Sequence, residues 1–401
     1  MNPDNSAPST ITASSAELDW EVVEREFPPN PNVLYLNTGS CGRKPRRVMD
    51  AVYAAMGANN ENPTLVTHID MAPKNEARAK SAELLGVPQE LLILTQSTTQ
   101  GLQLFLQSFL LKAGDELVTT DHEHGSANTI IRYLEETRGI IVRRHRMEPM
   151  LGSEHHCLQL VKLISEKTKL VLVSEIDCFT GWRPDLSYLV EGCRLLDIPL
   201  LVDGAHSPGN GPSRTRRYPM WVGSAHKWLG APNGTGYAYV SRQLSWQLAP
   251  VWLGHKYYEM KDHDEENIHR FELQGTEDMT RWFGLKEACA LQLLLSPLSI
   301  ARRQIALVNY LREQLRPLNP SFRTPESAPE SEKTAMLAFH FDRKQMKVDD
   351  LAAALWSEHR IWAQPDYIND NIGYGMRISC HYTISHEDID RFVKALSGFV
   401  K

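Results

Sequence analysis

The sequence predicts an α/β fold: a large domain built on a mostly parallel seven-stranded sheet, followed by a smaller C-terminal α+β domain. Three observations predict it. Seven short apolar runs alternate with segments of helical periodicity between residues 91 and 241, the pattern of βαβ units with a buried parallel sheet. Past residue 280 the alternation gives way to two long helical patterns separated at Pro297, then to a strand–helix–strand–helix series, which reads as a second body. Finally, 401 residues with 42% hydrophobic and 23% charged content suffice for a large core and a smaller companion.

Taken in order, residues 1–16 are small and polar and are expected to be a disordered lead-in. They lack the basic start and apolar core of a signal peptide. Residues 17–26 fit a short helix, broken by the prolines at 28, 29 and 31. An apolar run at 33–36 leads into the loop Asn37-Thr38-Gly39-Ser40-Cys41-Gly42, and helices are expected at 46–56, stopped by Gly57, and at 75–85. Strands are expected at 91–95, 116–120, 140–146, 169–174, 199–202, 220–223 and 236–241, with helices at 100–109, 127–136, 157–166 and 186–196 between them. Helices at 282–295 and 299–315 connect to a strand at 336–341, a helix at 348–357 and a strand at 375–379. In the final helix Ser385 and Asp388 form a capping pair, and Ile389, Phe392, Val393 and Leu396 repeat at helical spacing. The expected division is 17–280 and 281–401, with 17–45 packing partly against the smaller domain.

A net charge of −6 gives no electrostatic reason to expect nucleic acid or an anionic membrane, and Arg214, Arg216 and Arg217 read as a solvated loop. No apolar stretch is long enough to span a bilayer. The six cysteines (41, 157, 178, 193, 289 and 380) form no CxxC pair, and their scatter points to a reducing cytoplasm.

The chemistry centres on residues 200–240. Asp203 ends one apolar run, and Ser224-Ala225-His226-Lys227 follows the next. In such sheets ligands bind at the carboxyl ends of the strands. An amine and a carboxylate there suit pyridoxal 5′-phosphate (PLP): the amine holds its aldehyde as a Schiff base, and the acid keeps its pyridine nitrogen protonated. A lone lysine would be an ordinary solvated one, and Asp203 alone would serve equally well as a helix cap.

This stretch resembles the cofactor-lysine segment of the class V aminotransferase superfamily, of PLP fold type I, which includes cysteine desulfurases, isopenicillin N epimerases and C–S lyases. The resemblance implies that Lys227 carries the cofactor and moves protons, that Asp203 pairs with the pyridine nitrogen, and that His206 lies near the phenolic oxygen. Thr95-Gln96-Ser97-Thr98-Thr99-Gln100-Gly101 resembles the family's phosphate turn, with Thr98 and Thr99 the best matches and Ser224 and His226 completing the cup. His124, in Glu123-His124-Gly125, corresponds to the imidazole stacked on the pyridine face; a metal role for His122 and His124 is the alternative. Asp177 stands where the family has Asn or Ser near the phenolic oxygen, a departure that adds negative charge. Gln274-Gly275-Thr276 resembles a loop lent across a dimer interface, so Thr276 implies a homodimer with shared sites. Arg377 corresponds to the arginine that grips an amino-acid carboxylate, with Asn37, Thr38 and Ser40 on the substrate side.

Desulfurases use a mobile-loop thiolate, whereas the matching segment, 363–375, has no cysteine. Cys380, three residues beyond Arg377, is expected to face away from it by strand alternation. Asn37-Thr38-Gly39-Ser40-Cys41-Gly42-Arg43-Lys44-Pro45 and the Glu-His-Gly step resemble the epimerase and C–S lyase branch. The expected reaction is β-elimination from a cysteine-derived amino acid, with epimerisation and transamination as alternatives. Two other classes are disfavoured: a non-catalytic PLP sensor would carry a DNA-binding module, and a nicotinamide dehydrogenase would show GxGxxG after its first strand.

Overall fold

The computed structural model describes residues 17–65, 71–272, 275–341, 348–365 and 374–400. In chain order the strands are β1 (Leu34–Leu36), β2 (Leu92–Thr95), β3 (Glu116–Thr120), β4 (Ile141–His145), β5 (Thr168–Ser174), β6 (Leu200–Gly204), β7 (Met220–Ser224) and β8 (Gly236–Val240). They continue with β9 (Ser321–Phe322), β10 (Met336–Phe341), β11 (Ile361–Pro365) and β12 (Tyr374–Ser379).

Strands β2 to β8 make one seven-stranded sheet in the order β2-β8-β7-β6-β5-β3-β4. Only β8 runs antiparallel to its neighbours; the other pairs are parallel. The expected strands are all present. Leu170, Val171, Leu172, Leu201, Val202, Met220 and Val222 are fully buried, because a sheet covered on both faces hides successive side chains on opposite sides. Helices Thr98–Ser108, Gly125–Arg138, Gly152–Leu163 and Ser187–Leu195 follow β2, β3, β4 and β5. The first of them lies across β6, β7 and β8. This winding brings the carboxyl ends of β2 to β7 to one edge, where Ser174 of β5 pairs in register with Asp203 of β6.

The second sheet has the order β1-β11-β12-β10-β9. Its core contains Leu337, Phe339, Met376, Ile378, Cys380, Phe392 and Leu396. Cys380 therefore points to the core, whereas Ser379, like Arg377 on the alternate face of β12, turns outward and accepts a bond from the Gly39 N–H at 3.0 Å. The last helix, His386–Val400, begins with the expected capping pair. Asp388 N donates to Ser385 Oγ at 3.0 Å, and Ser385 N donates to Asp388 Oδ2 at 3.1 Å.

Two local expectations differ from the structure. The helix expected to stop at Gly57 runs from Arg46 to Glu61. A mid-helix glycine costs only about 1 kcal/mol relative to alanine, and the packing of this helix against Thr280–Leu294 and Trp20–Glu26 outweighs it. Residues 361–365, where no strand was expected, form β11 because β1 and β12 flank it on both sides. Of the connecting helices, Thr280–Leu294 buries Trp282, Leu285 and Cys289 in the first core, while Pro297–Leu315 sends Leu307, Leu311 and Leu315 into the second. Among the described residues no single helix is long and apolar enough to cross a membrane.

Candidate active site

Lys227 lies three residues beyond β7, in a turn held against the loop after β1. Gly42 N donates to the His226 carbonyl at 2.8 Å. A Cβ at position 42 would come within 1.9 Å of the Lys227 carbonyl oxygen, so only glycine permits this approach. Burial lowers the Lys227 pKa from 10.5 to about 8, against the opposing pull of Asp203. The amine is thus available near neutral pH.

Asp203, at the end of β6, is buried, and its Oδ1 accepts the Ala205 N–H at 2.9 Å. Turns rather than a helix follow it, which removes the capping alternative. Burial raises its pKa, opposed by Lys227 and His124: this carboxylate is short of positive charge, and a protonated ring nitrogen would supply it. His206 is buried between Lys227 and Trp228. Its Nδ1 accepts the Trp228 Nε1–H at 3.3 Å, and its Nε2 lies 3.3 Å from Lys227 Nζ. With Nδ1 accepting, the neutral ring carries its proton on Nε2, which can donate to Lys227 only when that amine is free. Burial and then Lys227 hold its pKa well below the ordinary value, so the ring is neutral.

His124 caps the helix Gly125–Arg138 through Nδ1, which accepts the Ser126 N–H at 3.1 Å. Its exposed ring stands in the electrostatic field of Lys227, Asp203 and Arg377. His122 is directed elsewhere, with Nδ1 2.6 Å from Asp177 Oδ2. Among the described residues no group of three or more His, Cys, Asp or Glu is placed to hold a metal ion.

The anion turn assembles from three segments. Ser97 caps the helix Thr98–Ser108 by accepting Gln100 N at 3.2 Å, and the first-turn N–H groups have no acceptor within the helix. Thr98 Oγ1 lies 3.0 Å from Ser224 Oγ, and Thr99 Oγ1 donates to Ser126 Oγ at 3.0 Å. A Cβ on Gly236 would stand 2.9 Å from Ser97 Cα, so this contact also requires glycine. Two helix N-termini and the four hydroxyls of Thr98, Thr99, Ser126 and Ser224 therefore converge, a setting that favours a phosphate. Half-buried His226 donates Nδ1–H to the Thr235 carbonyl at 3.1 Å. Thr276 is exposed, and no hydrogen bond joins it to the Thr98–Ser224 pair; Gln274 lies outside the described residues.

On the opposite wall β12 presents Arg377. Its Nη1 donates to the Cys178 carbonyl, and its Nη2 lies 3.4 Å from Asn37 Oδ1 and 3.5 Å from Ser40 Oγ. Asn37 is held in turn by Gln364, with Nδ2 donating to Oε1 at 3.1 Å. The register places Gln364 beside Arg377. The carboxylate of Asp177 is already committed. Oδ1 accepts Phe179 N at 2.8 Å and Thr180 N at 3.2 Å, and Oδ2 meets His122 Nδ1 at 2.6 Å. The departure at this position is balanced by a histidine that sequence inspection did not pair with it.

Other residues escaped the sequence as well. Glu123 is buried, bonded to Thr120 and Ser174, and pushed up to about 7 by burial despite those bonds. Its place just before His124 was its only signal. Ser126, Trp228 and Gln364 had none. Cys178 and Cys41 are thiols in the electrostatic surroundings of Lys227. A cavity of about 660 Å³ opens elsewhere, at the amino-terminal ends of β5, β6 and β7, and none of these residues lines it.

The donor set fits PLP: a near-neutral amine, a buried carboxylate seeking a cation, a neutral imidazole and a phosphate cradle. The profile of the aminotransferase class-V family matches residues 34–392.

This chain belongs to the class V aminotransferase family.

It is 29% identical to the isopenicillin N epimerase of Streptomyces clavuligerus, over 96% of this chain and 99% of that one. It is 26% identical to a probable cysteine desulfurase of Ureaplasma parvum serovar 3, over 94% and 96%. Among solved structures it resembles a C-DES mutant with glycine covalently linked to the PLP cofactor, with a TM-score of 0.82, 23% identity and coverage of 93% and 98%. The same protein, described as a cystine C–S lyase, was solved with its product cysteine persulfide, and matches with a TM-score of 0.81, 23% identity and coverage of 92% and 98%. The class V enzyme described here is PLP-dependent and shares this fold.

Proposed function

We propose that this class V enzyme removes the Cα proton of a cysteine-derived amino acid and expels its sulfur substituent by β-elimination. The observation that carries the reading is the Lys227 amine, held near neutrality beside Asp203 and His206 and facing a wall that bears Arg377. PLP, when bound, supplies an electron sink for negative charge at the substrate Cα. The protein's part is positioning and proton transfer. Arg377 takes the α-carboxylate, a bidentate match for a guanidinium. Asp203 would hold the proton on the ring nitrogen, His206 would meet the phenolic oxygen, and Thr98, Thr99 and Ser224 would receive the phosphate. Lys227 takes the Cα proton as a base and, as an ammonium, returns it to the departing sulfur. Asn37 steadies Arg377, and His124 would cover the ring.

Against persulfide formation by the desulfurase route, Cys380 lies in the second core, and the segment 363–375 contains no cysteine. Epimerisation is the second reading, favoured by the 29% identity to an isopenicillin N epimerase across 96% of the chain. There the proton would return to the opposite face of Cα. A second copy of the chain would complete the site by bringing Thr276 to the phosphate, making the working unit a homodimer. The six unpaired cysteines support placement in the reducing cytoplasm.

The test is mass spectrometry in D₂O with PLP and a panel of L-amino acids, cysteine conjugates and their sulfoxides. Pyruvate and ammonia establish elimination. Deuterium at Cα of an intact amino acid overturns it in favour of epimerisation, and a 2-oxo acid retaining its side chain overturns it in favour of transamination.

A further inference from the structure

His122 and Asp177 stand 55 residues apart and form a 2.6 Å pair. The proposed chemistry does not use them. Asp177 is 3% exposed, and a carboxylate so buried needs both hydrogen bonds and a balancing charge. It has them: Oδ1 takes the N–H groups of Phe179 and Thr180, and Oδ2 takes His122. The same residue closes the turn through its backbone, because Asp177 N donates to the Trp182 carbonyl at 2.8 Å and Gly181 N donates to the Asp177 carbonyl at 2.9 Å. This turn carries the Cys178 carbonyl, which accepts from Arg377 Nη1. The Phe179 ring meets His122 edge-on, with centroids 5.9 Å apart, and so braces the imidazole on the turn it supports.

We propose that His122 is a positioning residue for substrate carboxylate recognition: through Asp177 it fixes the 177–182 turn, and through the Cys178 carbonyl it sets the direction of the Arg377 guanidinium. The inference rests on the reading of Arg377 as the carboxylate grip. An imidazolium is the better brace. Burial alone would lower the His122 pKa, but the bond to Asp177 and the charges of Asp177, Asp121 and Glu123 raise it. The other titratable groups near it are His156 and Cys157, across a small internal cavity. His156 bonds away from it, to His145 and to the Glu148 carbonyl. The Cys157 thiol, pushed up to about 11 by burial, donates to the Asp185 carbonyl. As pH rises through the His122 pKa, which lies above the ordinary value near 6.5, the turn keeps a neutral hydrogen bond but loses its charge partner.

The experiment uses the holoenzyme and two probes, L-alanine and ethylamine. Each is titrated by the change in cofactor absorbance, and the ratio of their affinities is followed from pH 6 to 9. His122→Ala should lower the alanine-to-ethylamine ratio about tenfold, within the range by which substitutions that do not touch a ligand alter its binding. His122→Gln keeps a donor to Asp177, so it should retain most of the ratio and lose its pH dependence. Should His122→Ala not fold, Asp177→Asn reads the same element, since its amide oxygen still caps the turn; its ratio should be independent of pH. An unchanged ratio in His122→Ala overturns the proposal, as does equal weakening of both probes or a wild-type pH dependence in Asp177→Asn. Arg377→Ala separates the two levels. If it lowers the ratio and His122→Ala does not, only the positioning role falls; if it leaves the ratio unchanged, the carboxylate grip falls with it.

Discussion

Cofactor capture should report the Lys227 amine directly. Burial takes this lysine from 10.5 to about 8 while Asp203 opposes the drop. At about 1.4 kcal/mol for each factor of ten, the difference corresponds to about 3 kcal/mol. At pH 7 about one molecule in ten then carries the free amine, against about three in ten thousand for an ordinary lysine. Added PLP should react with the cofactor-free enzyme about tenfold faster for each step of one in pH below 8, and then level off. Stopped-flow absorbance between pH 6 and 10 measures this. Asp203→Asn removes the charge that opposes the drop, so its plateau should begin at lower pH. A wild-type midpoint above 10, or an Asp203→Asn midpoint above that of the wild type, would refute the electrostatic account. The same shift affects stability. With its native pKa below its unfolded one, Lys227 binds fewer protons when folded, so it penalises the cofactor-free fold at low pH and the penalty fades as pH rises from 8 to 10.5. Lys227→Met should therefore stabilise the cofactor-free chain at pH 7, by up to about 3 kcal/mol, and by nothing at pH 11.

Three further outcomes follow. Glu272 is buried against Lys74 and Arg78, at 3.3 Å and 2.7 Å, and accepts Leu94 N at 2.6 Å; Glu272→Ala should cost about 3–5 kcal/mol in urea unfolding, because the buried Arg78 loses its carboxylate partner while Lys74 keeps only Glu277, at 2.6 Å. Burial opposes the two cations at Glu272, yet its pKa is lowered overall, so its contribution should be present above its unfolded pKa and vanish as acid titration passes below the folded one, a loss absent from Glu272→Gln. Gly42→Ala would force a methyl group onto the Lys227 carbonyl, and should abolish PLP capture while circular dichroism still shows a folded chain.

Much of the fold was legible because its signals are local. The strands of the large sheet are continuous apolar runs, buried on both faces, and the pair Ser385 and Asp388 caps its helix within four residues of sequence. The exceptions follow the same logic. β11 exists only because β1 and β12 lie on either side of it, and Gly57 sits within a helix because distant packing outweighs its propensity.

At the site, the chain by itself determined that Lys227 and Asp203 stand at neighbouring strand ends, since βαβ winding places strand termini at one edge. It also determined which residue types wait there. Tertiary structure alone decided what they do. Thr98 meets Ser224, Arg377 meets Asn37, and Asp177 finds His122 across sequence separations of 126, 340 and 55 residues. No local pattern encodes such pairings. The low pKa of Lys227 and the high one of Glu123 arise from desolvation and neighbouring charge, which exist only once the chain has closed around them.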